Sequence, residues 1–210
     1  MPRLLHFFCI TTLIAVICTS CLSWPEASPQ PQELVRTFDQ RKLNAIDVAI
    51  HQARGEKRLP GGVLWLERQG VAFHRAYGMS STQPVSALAQ GDTIYDAASL
   101  TKVVATTPAV LLLHERRKLN IEDSVRKHLP EFTGQGRESI TIRQLLTHTS
   151  GLRPDISVNG WTGHQECIAK CVVEVPRAAP DERFIYSDIN FQLLDEIVRR
   201  VSGKRLDVFC

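Results

Sequence analysis

The 210-residue sequence lacks the features that mark several classes of protein. Its 25 Lys and Arg and 22 Asp and Glu residues are mixed along the chain without a block of like charge, which argues against a nucleic-acid partner. It has no internal repeat, which argues against solenoid architectures. The apolar run Phe7–Cys18 is too short to span a bilayer. The length and the 43% hydrophobic content instead fit one good-sized globular domain.

The sequence also has few cysteines outside its N-terminal segment: Cys167, Cys171 and Cys210. Cys167 and Cys171 are four residues apart and have no nearby pair of histidines, so the pattern does not favour a zinc site. We expect both to be small buried residues on one face of a helix. A disulfide between them is the alternative, although the i,i+4 spacing of a helix suits it poorly.

The N-terminal segment is typical of an export signal and is excluded from the predicted fold. The run Phe7–Cys18 has the length of a signal-peptide core, and two small residues then precede Cys21. Residues 1–21 are therefore predicted to be a signal peptide, either of the lipoprotein type with a lipid on Cys21 or ordinarily cleaved, with an uncleaved anchor as a third alternative. Either signal implies an exported protein, periplasmic or held at a membrane by its lipid. The proline-rich residues 22–33 predict a tether.

The hydrophobic pattern of residues 34–210 predicts one β-hairpin and otherwise almost only helices. No strand is predicted after the hairpin, and a two-stranded sheet is marginal in water. We therefore expect a partial domain, and we expect residues 22–210 alone neither to fold stably nor to turn over substrate. The predicted elements are a helix over 33–54, hairpin strands at 63–67 and 71–77, a helix over 96–119 that Pro108 kinks or restarts, a short helix over 141–146, a helix or strand over 166–175, and an amphipathic helix over 190–202.

A serine and a lysine three residues apart begin the most helix-like stretch. A serine nucleophile needs a base within hydrogen-bond reach, and at this spacing the amine of Lys102 lies one helical turn from the hydroxyl of Ser99. If the amine is buried among apolar neighbours, we expect it either to lose its proton more readily or to polarise a neighbouring group. A second copy of the spacing, Ser124 and Lys127, lies in a polar connector and is interpreted as surface sequence.

Together with Tyr186-Ser187-Asp188, these residues bear a resemblance to a known family. The sequence resembles the class C β-lactamase-like members of the serine β-lactamase and penicillin-binding-protein superfamily, including their esterase and D-peptidase relatives. The resemblance covers nearly all of residues 35–210. Four stretches carry it, in the family's order: Gly61-Gly62 with the hairpin, Asp96 to Lys102, Leu145 to Leu152, and Tyr186 to Phe191 running into Val201-Ser202-Gly203.

The resemblance implies a role for each site residue. Ser99 is the acylated nucleophile, and Lys102 and Tyr186 form the pair that handles its proton, with either of them as the formal base. Asp188 stands where β-lactamases carry Asn and is assigned to substrate binding. A carboxylate cannot donate a hydrogen bond to a substrate carbonyl unless it is protonated, so this departure disfavours β-lactam binding and favours an esterase or peptidase. Asp188 could instead hold Lys102.

Two further residues or segments imitate site chemistry. His148 has the chemistry of a general base, but its Thr-His-Thr-Ser-Gly segment is structural in the resembling motif. Ser157-Val158-Asn159 mimics the Ser-x-Asn element of other penicillin-recognising enzymes, but it lies in a loop and is interpreted as a decoy.

The resemblance also implies the fold and the reaction. The implied fold is α/β (α+β), an antiparallel sheet flanked by helices with a helical domain that carries Tyr186. The implied reaction hydrolyses an ester, an amide or a β-lactam in a small-molecule or peptide substrate, without metal or cofactor. The family's late Lys/His-x-Gly strand, which supplies a second oxyanion donor, has no counterpart in these 210 residues. The alternatives are a non-catalytic penicillin-binding-like or sensor module and an inactive fragment.

Overall fold

The computed structural model describes residues 31–156 and 162–210, which divide into two compact units on either side of the Tyr95–Asp96 bond. We call residues 31–95 the hairpin unit and residues 96–210 the helical unit. The predictions for the signal peptide, for Cys21 and for Ser157-Val158-Asn159 lie outside the described residues, as does most of the predicted tether. Within the described ranges, no helix has both the length and the apolar character needed to cross a membrane.

The hairpin unit begins with two helices where the sequence predicts one. Helix α1 spans Pro31–Thr37 and helix α2 spans Gln40–Gly55. Asp39 separates them because its backbone is extended and its carboxylate accepts a hydrogen bond from the Arg41 N–H at 2.8 Å, as an N-cap residue does. Since α1 starts at Pro31, the last three residues of the predicted tether are helical.

The predicted hairpin is confirmed. Strand β1, Gly61–Arg68, pairs antiparallel with strand β2, Val71–Ser81. Gln69 and Gly70 form the turn with φ values of 54° and 76°, and two positive values match the right-handed twist of the flanking strands. The expectation that no strand follows is wrong, because β2 continues past Tyr77 and pairs with a third strand, β3, Ala87–Leu88. Two residues are too few to show an alternating pattern.

Helix α2 is tied to the hairpin by a polar cluster. Asp47 accepts hydrogen bonds from the Tyr77 hydroxyl and the Arg75 guanidinium. Burial and the neighbouring Asp47 carboxylate raise the pKa of Tyr77 to about 12. Tyr77, Phe73, Leu43 and Ala53 are the buried apolar residues described in this unit.

The helical unit starts with three short helical segments instead of the single predicted helix. A 3₁₀ turn, Ala98–Leu100, is followed by a π-helical turn, Lys102–Thr106, and then by helix α3, Thr107–Glu115. Pro108 lies in the first turn of α3, where its missing N–H leaves no hydrogen bond unmade. This position confirms that the helix restarts at Pro108. The later helices are α4 Val125–His128, α5 Ile142–Leu146, α6 Gly163–Val172, α7 Asp188–Ser202 and α8 Leu206–Phe209.

Helix α7 lies at the centre of the core of the helical unit. Its apolar face is fully buried and packs with α3, α5 and α6, and Gly203 ends the helix at a φ of 73°. Thr141 caps α5 through a reciprocal capping box with Gln144. The undecided stretch 166–175 is mainly helical, as α6, and Cys167 and Cys171 are buried free thiols on it, as predicted.

Candidate active site

Ser99 and Lys102 are brought together by the local fold of residues 96–106. Ser99 lies in the 3₁₀ turn, Lys102 is the first residue of the π turn, and the Lys102 Nζ donates a hydrogen bond to the Ser99 Oγ at 3.1 Å. The Asp96 carboxylate accepts the N–H of Ala98 at 2.8 Å and so fixes the approach to the serine. Ala98 has a φ of 43°, in the left-handed region that a side chain disfavours. This strain next to an exposed serine is typical of functional sites.

Asp188 and Tyr186 complete the cluster from the start of α7. The Asp188 Oδ1 lies 2.6 Å from the Lys102 Nζ, and Lys102 is only 13% exposed. Among the described residues this oxygen has no partner with the alignment of a hydrogen bond, so the ion pair with Lys102 is what compensates its burial. The Lys102 Nζ also lies 5.0 Å from the centre of the Tyr186 ring, within cation–π range.

The charges in this cluster shift two pKa values in opposite directions. Burial lowers the pKa of Lys102, but the Asp188 carboxylate and Tyr186 outweigh burial, and the net shift is upward. Of the two alternatives for Lys102, easier loss of its proton is not supported, because Asp188 and Tyr186 favour the charged amine. Its contact with Ser99 at 3.1 Å fits the other alternative, polarisation of a neighbouring group. The Ser99 hydroxyl and the Lys102 ammonium lower the pKa of the Tyr186 phenol. The phenol, and not the amine, is thus the group that the site shifts towards losing its proton.

The other two candidates lie apart from Ser99. His148 is buried behind Tyr186, with the two rings 4.5 Å apart. Its Nδ1 accepts a hydrogen bond from the Ser187 N–H at 3.0 Å. In the second copy of the Ser-x-x-Lys spacing, the Lys127 Nζ pairs with Asp123 at 2.7 Å, so it is committed to a carboxylate instead of Ser124.

A cavity of about 530 Å³ opens beside Ser99, Lys102 and Asp188. Its walls include three residues that the sequence analysis did not single out: His164, Gln192 and Asp195. Positions 188, 192 and 195 follow the i, i+4, i+7 spacing of one helix face, a polar stripe that could have been found once Asp188 was placed in the first turn of α7. No such signal exists for His164, which α6 brings to the same cavity.

The His164 imidazole lies between two carboxylates of α7. Its Nε2 is 2.9 Å from the Glu196 Oε2, and its Nδ1 is 3.4 Å from the Asp195 Oδ2. Burial raises the pKa of Asp195. In residues 31–156 and 162–210, no group of three or more His, Cys, Asp and Glu side chains is arranged to hold a metal ion.

Comparison with known proteins gives consistent matches over most of the chain. The model of the beta-lactamase family matches residues 46–210. Protein flp of Staphylococcus aureus strain COL is 32% identical over 75% of this chain and 33% of its own length. The "Putative D-alanyl-D-alanine carboxypeptidase" of Escherichia coli strain K12 is 29% identical over 93% of this chain and 50% of its own length. A crystal structure of a class C beta-lactamase superposes with a TM-score of 0.65 at 25% identity, covering 80% of this chain and 47% of that one.

These matches confirm the predicted resemblance and the predicted mixed α/β fold, with its antiparallel sheet and its helical part. The chain spans between a third and a half of the length of the curated relatives that it matches.

Proposed function

The chain belongs to the beta-lactamase family, and we propose that it is a serine hydrolase that works through an acyl-enzyme formed on Ser99. The observation that carries the proposal is the short contact between the Lys102 Nζ and the Ser99 Oγ at 3.1 Å, with the Tyr186 phenol shifted towards ionisation beside them. A serine with a polarising cation and an activated base in reach is the arrangement that nucleophilic catalysis requires.

In the proposed reaction, Tyr186 in its phenolate form accepts the proton of Ser99, and Lys102 stays charged. The Ser99 Oγ attacks the carbonyl carbon of an ester, an amide or a β-lactam, and the carbonyl oxygen becomes an oxyanion. When the intermediate collapses, the leaving group takes the proton from Tyr186 and the acyl group remains on Ser99. Water then attacks the acyl-enzyme and gives a proton to Tyr186. When this second intermediate collapses, Tyr186 passes the proton to the departing Ser99 Oγ, the acid product leaves, and Tyr186 is again a phenolate. The raised pKa of Lys102 supports Tyr186, and not Lys102, as the base, because a charged amine cannot accept the proton.

Asp188 supports an ester or amide of a small molecule or peptide over a β-lactam as the substrate. Its carboxylate is engaged with Lys102 at 2.6 Å, and a carboxylate has no hydrogen to donate to a substrate carbonyl. An asparagine at this position could donate such a hydrogen bond. The ion pair has a second consequence, since it keeps Lys102 charged beside the phenol that is to ionise.

Covalent labelling tests the proposal at the level of a single side chain. We expect a fluorophosphonate probe to label the full-length protein on the peptide that contains Ser99, and we expect its p-nitrophenyl ester turnover to fall at least about 10³-fold in Ser99→Ala. Ser124→Ala, from the second Ser-x-x-Lys copy, is the matched control and should retain label and turnover. Label on Ser124, or label that persists in Ser99→Ala, would contradict the proposal. Label on Ser99 without ester turnover would instead identify a non-catalytic binding module.

A further inference from the structure

The ring of His148 packs against the ring of Tyr186. The two rings are 4.5 Å apart and inclined by 32°. His148 also packs against Phe191 at 5.2 Å and Phe184 at 5.7 Å between ring centres, and it is only 8% exposed. A buried imidazole stacked on the proposed base is therefore part of the surroundings that decide where the phenol points.

His148 forms hydrogen bonds with the backbone of the residue before Tyr186 and of the residue after it. The backbone C=O of His148 accepts the N–H of Ile185 at 2.9 Å, and its Nδ1 accepts the N–H of Ser187 at 3.0 Å. One residue thus fixes the backbone immediately before and immediately after Tyr186. Asn190 lies 3.4 Å from the same Nδ1 and accepts a hydrogen bond from Ser150 at 2.7 Å, so the arrangement is itself supported from α7.

We infer that His148 is a positioning residue for the proposed reaction and that it holds the Tyr186 phenol at Ser99 only as a neutral imidazole. The inference rests on the proposed function. An imidazole nitrogen can accept the Ser187 N–H only while it carries no proton, because a protonated Nδ1 is a donor and would face another donor. Protonation therefore removes one of the two bonds that flank Tyr186, and a misplacement of about 1 Å is enough to cost about 10²-fold in rate.

The surroundings of His148 favour the neutral form. Burial and the nearby Lys102 ammonium lower the pKa of His148, and Asp188 opposes them. The charged or titratable groups that face His148 are Lys102 from the π turn, Asp188 from α7 and the Tyr186 phenol from the segment before α7. Its other close neighbours, Phe184, Phe191, Asn190 and Ser187, carry no charge.

Two substitutions separate the positioning role from simple packing. His148→Asn keeps a side-chain acceptor near the Ser187 N–H, does not titrate, and suits the φ of 59° at this position, since Asn tolerates the left-handed region. His148→Phe keeps a ring against Tyr186 but has no acceptor. The measurement is the rate of fluorophosphonate labelling of Ser99 between pH 4 and 9, with the free energy of unfolding of each variant measured alongside.

We expect His148→Phe to label Ser99 about 10²-fold more slowly than the wild type at pH 7. We expect His148→Asn to retain labelling within about tenfold at pH 7 and to lose the part of the acid limb that comes from His148. Two outcomes would overturn this inference but leave the proposed function standing. One is a wild-type labelling rate in His148→Phe, and the other is an acid limb in His148→Asn identical to that of the wild type. A wild-type protein that is not labelled on Ser99 would overturn the proposed function and this inference with it.

Discussion

The hairpin unit and the helical unit bury their apolar residues to different extents. In the hairpin unit the buried apolar residues are four, two on α2 and two on β2. In the helical unit twenty-two form one cluster in which α7 packs with α3, α5 and α6. All of the proposed site residues lie in the helical unit. The proposed site therefore lies in the densely packed unit, where side-chain rotamers and helix ends are fixed by their neighbours.

The helical unit contains an ion-pair network that is more deeply buried than the ion pairs described in the hairpin unit. The helical unit buries a carboxylate, Glu196, whose side chain is 2% exposed and pairs with His164, Arg199 and Arg200. In the hairpin unit, the ion pair between Arg58 and Glu56 is largely exposed. A buried charge is costly to leave without partners, whereas an exposed pair contributes little, so the two networks should respond very differently to substitution.

The largest effect is expected when one buried leucine in the core of each unit is truncated to alanine. Leu194→Ala, at a fully buried position of α7, should lower the free energy of unfolding by about 4 kcal/mol, because the rigid surroundings cannot collapse into the cavity. Leu43→Ala, at a buried position of α2, should cost about 2–3 kcal/mol, because fewer buried neighbours surround it. Urea denaturation measures both values. Equal losses of stability, or a larger loss for Leu43→Ala, would contradict the expected difference in packing between the two units.

An intermediate effect is expected from pH. Burial raises the pKa of Glu196, but Arg199, His164 and Arg200 outweigh it and lower the pKa to about 2. A lowered folded-state pKa means that the stabilisation is present above the ordinary value of 4.5 and is lost as the pH falls towards 2, an amount of about 3 kcal/mol. Denaturation between pH 2 and 7 should show this loss.

The substitution Glu196→Gln should remove its share of that acid dependence and destabilise the protein at pH 7. Asp123, whose pKa is also lowered to about 2, accounts for a further part of the wild-type loss. Glu56→Gln, at an exposed carboxylate of the hairpin unit, is the matched control and should leave the acid transition nearly unchanged. An acid transition in Glu196→Gln as steep as that of the wild type would show that this buried network is not its source.

The smallest effect is expected at the helix caps, one from each unit. Thr141→Ala removes the capping box of α5 and Asp39→Ala removes the cap of α2, and each should cost about 1 kcal/mol. Thr141→Ser and Asp39→Asn keep a side-chain acceptor and should cost less than half as much. Thermal unfolding of the four variants checks this order. Alanine variants as stable as their conservative partners would mean that water satisfies these helix ends equally well.

Much of the fold is legible from short stretches of sequence. Two alternating runs joined at Gln69-Gly70 predict the hairpin, and Pro108 predicts the restart of a helix. The predictions fail where an element is too short to show its alternating hydrophobic pattern, or where its boundary depends on a single capping residue. The two-residue strand β3 shows no alternation, and the Asp39 cap divides a helix whose apolar spacing continues across it.

The sequence by itself determined the family, the spacing of Ser99 and Lys102 on one helical segment, and the choice of Tyr186 and Asp188 as their partners. The pairing of Ser99 with Lys102 follows from a local pattern, because residues three apart on a helix lie on one face. The family and the roles of Tyr186 and Asp188 follow from the resemblance. The tertiary structure alone decided the surroundings of the Lys102 amine, because α7 brings the Asp188 carboxylate to within 2.6 Å of it. It also brought His148 into hydrogen bonds with the residues on either side of Tyr186. Electrostatic and stacking interactions depend on distance in space, and residues 102, 148 and 188 are far apart along the chain.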